Sequence, residues 1–119
     1  MNDDTLRMTM LFDFFGELLT EKQREYFDLY HNEDLSLSEI AEKTGISKQG
    51  VYDIITRAEK SLEETEQKTG VVRKWRETRS GLERAGSLAS ELLRLTKGNE
   101  AAADLANKLI LTIEEIGNS

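Results

Sequence analysis

Several side chains within one short span could read or hold a nucleic acid. Lys48, Gln49, Tyr52, Arg57 and Lys60 follow Ser47 at spacings that a helix places on its outward side. If that helix enters a major groove, its first turns present Lys48, Gln49 and Tyr52 to base edges. Arg57 and Lys60 lie further along, placed for phosphates. Asp53 stands in the middle of the same face; it opposes phosphate but could accept from a cytosine amine. The same face reads equally as a solvated helix of mixed charge.

A second group is basic and contains an aromatic ring. Lys68 to Arg84 holds six bases and two acids, with the chain's one tryptophan, Trp75, inside it. Arg73, Lys74, Trp75, Arg76 and Arg79 could contact RNA or an acidic protein face, with Trp75 stacking on a base. The preferred reading buries Trp75 at a join between helical layers while the Arg side chains reach water, because tryptophan is highly buried on average.

No residues are spaced for catalysis or for holding a metal or cofactor. There is no Cys, no Gly-rich phosphate loop, and one histidine, His31, which reads as a helix-end residue. Glu63-Glu64 and Glu114-Glu115 are adjacent in sequence and share no helix face. The expectation is a protein that is not an enzyme.

The elements that position these side chains are helical. Asp3 or Asp4 can cap a first helix with Met8, Leu11, Phe12, Phe15, Leu18 and Leu19 as its apolar stripe, Phe14 falling outside it. Thr20-Glu21-Lys22-Gln23 is a capping box that opens a second helix, with Tyr26, Phe27, Leu29 and Tyr30 facing in. Ser36-Leu37-Ser38-Glu39 is another. Gly45 suits a helix end that needs positive φ, and Ser47 caps the next helix. Ala41, Gly45, Val51 and Ile54 have helix-turn-helix spacing, and small Ala41 lets the two helices approach.

Beyond this unit, the helix runs through Ile55, Ala58 and Leu62 to a break at Gly70. Leu82, Ala85, Leu88, Ala89, Leu92, Leu93 and Leu95 mark another amphipathic helix, with a break expected near Gly81 or close packing at Gly86. After Lys97-Gly98-Asn99, a final stripe carries Ala102, Leu105, Ala106, Leu109, Ile110, Ile113 and Ile116. The two segments read as an antiparallel hairpin. The expected organisation is a helix-turn-helix domain over residues 1–70 and a C-terminal extension over 71–119 that packs on it or forms a dimer seam.

Bulk properties agree with an all-α chain of 119 residues that lacks Pro and Cys. Lack of Cys suits a reducing compartment. Asp3, Asp4 and Asp13 rule out a secretory signal in the apolar run Met8–Phe15, and no segment has membrane-spanning length, so a cytoplasmic protein without membrane insertion is expected. The net charge of −7 is unusual for a DNA binder. Residues 1–60 hold 13 acids and 7 bases, so most of the negative charge sits on the half with the helix-turn-helix.

Three runs carry a family resemblance. They are Leu11-Phe12-Asp13-Phe14-Phe15-Gly16-Glu17-Leu18-Leu19-Thr20-Glu21-Lys22-Gln23, Ser36-Leu37-Ser38-Glu39-Ile40-Ala41, and Ser47-Lys48-Gln49-Gly50-Val51-Tyr52-Asp53 followed by Arg57 and Glu59. Together they resemble the YlxM-type helix-turn-helix family of bacteria over residues 8–67. Lys48 stands where that family often has Arg, which keeps the charge but loses a bidentate fork. The resemblance implies a fold like region four of sigma factors; the long recognition helix and the C-terminal helical hairpin are expected from the spacing above, since nothing of the family carries over from Val71 onward. It also implies a small, non-enzymatic, cytoplasmic protein of the signal recognition particle pathway. Expected partners are then the particle's GTPase or RNA, or DNA if the protein is a regulator. The surplus of apolar stripe adds the expectation of a homodimer.

Overall fold

A computed structural model describes residues 3–118, and over them the chain is all-α. Six helices follow one another: α1 (Asp3–Phe15), α2 (Glu21–Phe27), α3 (Leu37–Thr44), α4 (Lys48–Thr69), α5 (Val71–Leu95) and α6 (Glu100–Gly117). The chain divides into two compact units, residues 1–72 and 73–119.

In the first unit, local signals start and stop each helix. Thr20 and Ser36 both form reciprocal capping boxes, with Gln23 and Glu39 returning hydrogen bonds to the cap amides at 3.1 and 3.0 Å. Gly45 ends α3 at φ 77°, a conformation in which an L side chain is strained although nothing crowds it there. Gly70 ends α4 at φ 62°. α1 already includes Asp3 and Asp4, so neither precedes the helix as a cap residue.

Two turns depart from α-helical pitch, and each turns a stripe residue outward. Gly16–Leu18 forms a tight 3-10 turn, and Leu18 is exposed where the continued α stripe would bury it. Asp28–Asn32 forms a wide π turn, and Tyr30 is exposed while Leu29 is buried. Phe14, which lies outside the stripe, is also exposed.

α4 is the spine of this unit. Its first half, Val51 and Ile55, packs with Tyr26, Leu29 and Ile40. Its second half, Ala58 and Leu62, packs with Met8, Leu11, Phe15, Leu19 and Phe27. Phe12 stacks on Phe27 with centroids 4.6 Å apart. One α5 residue, Val72, enters this second cluster. Fully burying a side chain such as Leu11, Phe27 or Leu62 stabilises by about 1.5–3 kcal/mol each.

The second unit is an antiparallel hairpin of α5 and α6. A side chain added at Gly86 would touch Ile113, and one at Gly117 would touch Leu82. Arg79 Nη1 donates to the Gly117 carbonyl at 2.9 Å. Asn99 caps α6 by accepting from the Ala102 amide at 3.1 Å, after Gly98 at φ 92°. α5 runs without a break through Gly81, so of the two expected alternatives the interruption is not formed, and Gly86 faces Ile113 of α6. Each of its two interior glycines, Gly81 and Gly86, costs the helix about 1 kcal/mol, which a 25-residue helix absorbs.

Candidate nucleic-acid interface

The turn between α3 and α4 sets the pose of the candidate recognition helix. Ser47 accepts from the Gly50 amide at 3.0 Å and begins α4. Gly50 is needed on steric grounds: a Cβ there would lie 2.8 Å from Ile46 Cγ2. Ile46 itself packs against the buried cluster of Ile40, Val51 and Ile55. The turn is therefore held on its inner side by apolar contact and on its outer side by the cap.

With that line buried, the helical pitch sends the candidate residues outward. Lys48, Gln49, Tyr52, Asp53, Thr56, Arg57 and Lys60 are all exposed. Gln49 Nε2 donates to Asp53 Oδ1 at 3.0 Å, so the amide and the carboxylate form one oriented pair on the crest of the helix. That pairing moderates the unfavourable field Asp53 would offer a phosphate. Lys60 shares a shallow depression of mixed charge with Asp4, Arg7, Glu59 and Glu63.

Two charged contacts behind this face fix α4 to its supports. Arg7 holds Glu63 in a two-pronged pair, Nε to Oε1 at 3.0 Å and Nη2 to Oε2 at 2.7 Å. The Arg7 hydrogen bond draws the Glu63 carboxyl below its ordinary range, and Glu63 raises Arg7 in turn. His31 is mostly buried, with Nε2 2.7 Å from Glu59 Oε2 and its ring tilted on Phe27 at 4.2 Å. It ties the end of α2 to α4, a structural role that a lone histidine in a polar run did not signal.

The basic group belongs to the other unit. Arg73, Lys74, Trp75, Arg76 and Arg79 lie in the first half of α5, and every residue from 73 to 81 is exposed. Trp75 is 43% exposed, which corrects the expectation that it plugs a layer join. The physical reason is that α5 continues past Gly81, and the plug is Val72, only 3% exposed. Arg79 stands 5.4 Å from the Trp75 ring centroid and covers part of it. Its simultaneous bond to Gly117 commits Arg79 to the hairpin.

Comparison with known proteins adds a family. The profile described as "Putative helix-turn-helix protein, YlxM / p13 like" (UPF0122) matches residues 2–91, ending inside α5. A UPF0122 protein of Thermoanaerobacter sp. (strain X514) is 42% identical over 116 residues, 98% of each chain. One of Shouchella clausii (strain KSM-K16) is 47% identical over 116 residues, covering 98% of this chain and 99% of its own. One of Caldanaerobacter subterraneus subsp. tengcongensis is 54% identical over 84 residues, covering 71% and 72%.

Proposed function

Because the chain belongs to the UPF0122 family of YlxM/p13-like helix-turn-helix proteins, we propose that it is a cytoplasmic, non-enzymatic accessory protein of the signal recognition particle that binds the particle's RNA. The family resemblance supplies the pathway. The observation that carries the RNA contact is the exposed, basic first half of α5: Arg73, Lys74, Trp75 and Arg76 on a stretch with no buried residue. Cations with an accessible ring suit a phosphate backbone whose bases can stack. The acidic charge of residues 1–60 would then suit a basic protein surface in the same particle, such as its GTPase.

A second reading rests on α4. Lys48, Gln49, Tyr52 and Arg57 occupy the outward face of a helix fixed by the turn at Gly45, which is the arrangement of a DNA reader. The net charge of −7 weighs against strong non-specific duplex binding.

One titration distinguishes them. The intact protein is tested against the particle RNA and against duplex DNA from the promoter of its own gene, across a salt series. The RNA reading expects affinity that falls steeply with salt, a loss of about tenfold or more in Arg73→Glu with Arg76→Glu, and little change in Lys48→Ala or Arg57→Ala. The DNA reading expects the opposite dependence on the two pairs. Retention of neither the RNA nor the GTPase at low salt would sink the accessory reading.

A further inference from the structure

The hairpin of residues 73–119 has almost no core of its own. Among its described residues only Ala89 and Ala106 are buried, and both are small. Yet seven large aliphatic side chains stand in water: Leu88, Leu92 and Leu95 on α5, and Leu105, Leu109, Leu111 and Ile116 on α6, each between 46% and 71% exposed.

Six of them, all but Leu111, share one face. On α5 the packed line runs through Leu82, Ala85, Ala89 and Leu93, and the exposed stripe lies about a quarter turn from it toward one side. On α6 the packed line runs through Ala102, Ala106, Ile110 and Ile113, and the exposed stripe lies about a quarter turn away in the same rotational sense. Antiparallel helices are related by a local two-fold axis normal to the plane of the pair. That axis carries a stripe displaced in one sense onto the same face of both. On α5 the opposite side is polar, with Glu83, Ser87, Ser90 and Arg94 lining a shallow hollow, whereas on α6 Leu111 stands alone away from the stripe.

We propose that this face pairs with the same face of a second copy, so that two hairpins close into a four-helix bundle. Three features select a second copy. The six residues carry no charge, so the face offers a charged partner nothing to complement, whereas it matches itself by an isologous two-fold contact. Two layered helices cannot enclose a core, and two such hairpins together supply the four helices of a bundle that does. The area also suffices: at about 100 Å² for each of the six side chains, two copies bury on the order of 1,200 Å², the lower bound for a stable interface.

Light scattering on the eluted full-length protein at tens of micromolar tests this. The expected mass is twice the 13.5 kDa of the chain. Leu92→Glu with Leu105→Glu is expected to give the single mass with helical content retained. The chain has no cysteine, so a second measurement is independent of that variant's folding. Leu105→Cys treated with a bifunctional maleimide is expected to yield covalent dimers, and Asn107→Cys, off this face, is expected to yield few. A monomeric wild-type protein, a dimer that survives the double Glu variant, or equal cross-linking at both positions would each overturn the proposal.

Discussion

The Arg7–Glu63 pair is the clearest single contact whose strength depends on pH. It joins α1 to α4 across 56 residues of sequence. Glu63 has a lowered carboxyl pKa because Arg7 donates to it. A carboxyl depressed in the folded state binds fewer protons than in the unfolded chain. Its stabilisation is therefore present above the ordinary glutamate range and disappears as pH falls through the folded value. Both side chains are nearly half exposed, so solvent screening limits the contribution to about 1 kcal/mol or less. Glu63→Gln is expected to lower urea stability by that amount at pH 7 and by progressively less as pH falls below the ordinary glutamate range. A gap that persists in acid would mean that Glu63 acts by packing alone. Neither this pair nor His31–Glu59, 28 residues apart, was legible in the sequence, because nothing local announces which distant charge a side chain will meet.

Helix ends were legible because their chemistry is local. Thr20 with Gln23, Ser36 with Glu39, Ser47 and Asn99 each carry their partner within three residues, and all four cap as their types predict. The residues misplaced by pattern reading are those after a change of pitch. Leu18 and Tyr30 fit a continuous 3.6-residue stripe, but a tight turn and a wide turn alter the angle per residue before the stripe reaches them. α5 begins with a cap that sequence spacing hides. Glu66, only 7% exposed, reaches past Gly70 and accepts from the Val72 amide at 2.9 Å. Glu66→Ala would leave that amide buried without an acceptor and is expected to cost about 1–2 kcal/mol in chemical denaturation. Glu66→Gln keeps an acceptor oxygen and is expected to cost clearly less. Equal losses in the two variants would show that the cap contributes nothing.

Across the whole molecule, packing is uneven. Residues 1–72 bury Leu11, Phe27, Ile40, Val51 and Leu62 almost completely, whereas residues 73–81 have no buried side chain. Local opening follows burial. Hydrogen exchange is therefore expected to be slowest in the middle of α4 and in α1 near Leu11, and fastest within α5 at 73–81. Uniform protection along α5 would contradict the expectation drawn from the lack of buried side chains there. The helix-turn-helix was legible at this scale from Ala41, Gly45 and Val51, since one small residue and one glycine are what its close crossing requires. The functional faces were legible only as lists of side chains: sequence spacing put Lys48 to Lys60 on one side of a helix, but not the Gln49–Asp53 bond that shapes it.

The joint at Gly70 has a practical consequence for anyone dissecting the protein. The glycine looks like the natural place to cut, since it ends one helix and precedes another. Yet the next two residues still serve the first unit: Val72 fills its core, and the Val72 amide satisfies the buried Glu66 carboxylate. A fragment that stops at the glycine is an amputation; one that retains the first turn of α5 is a module.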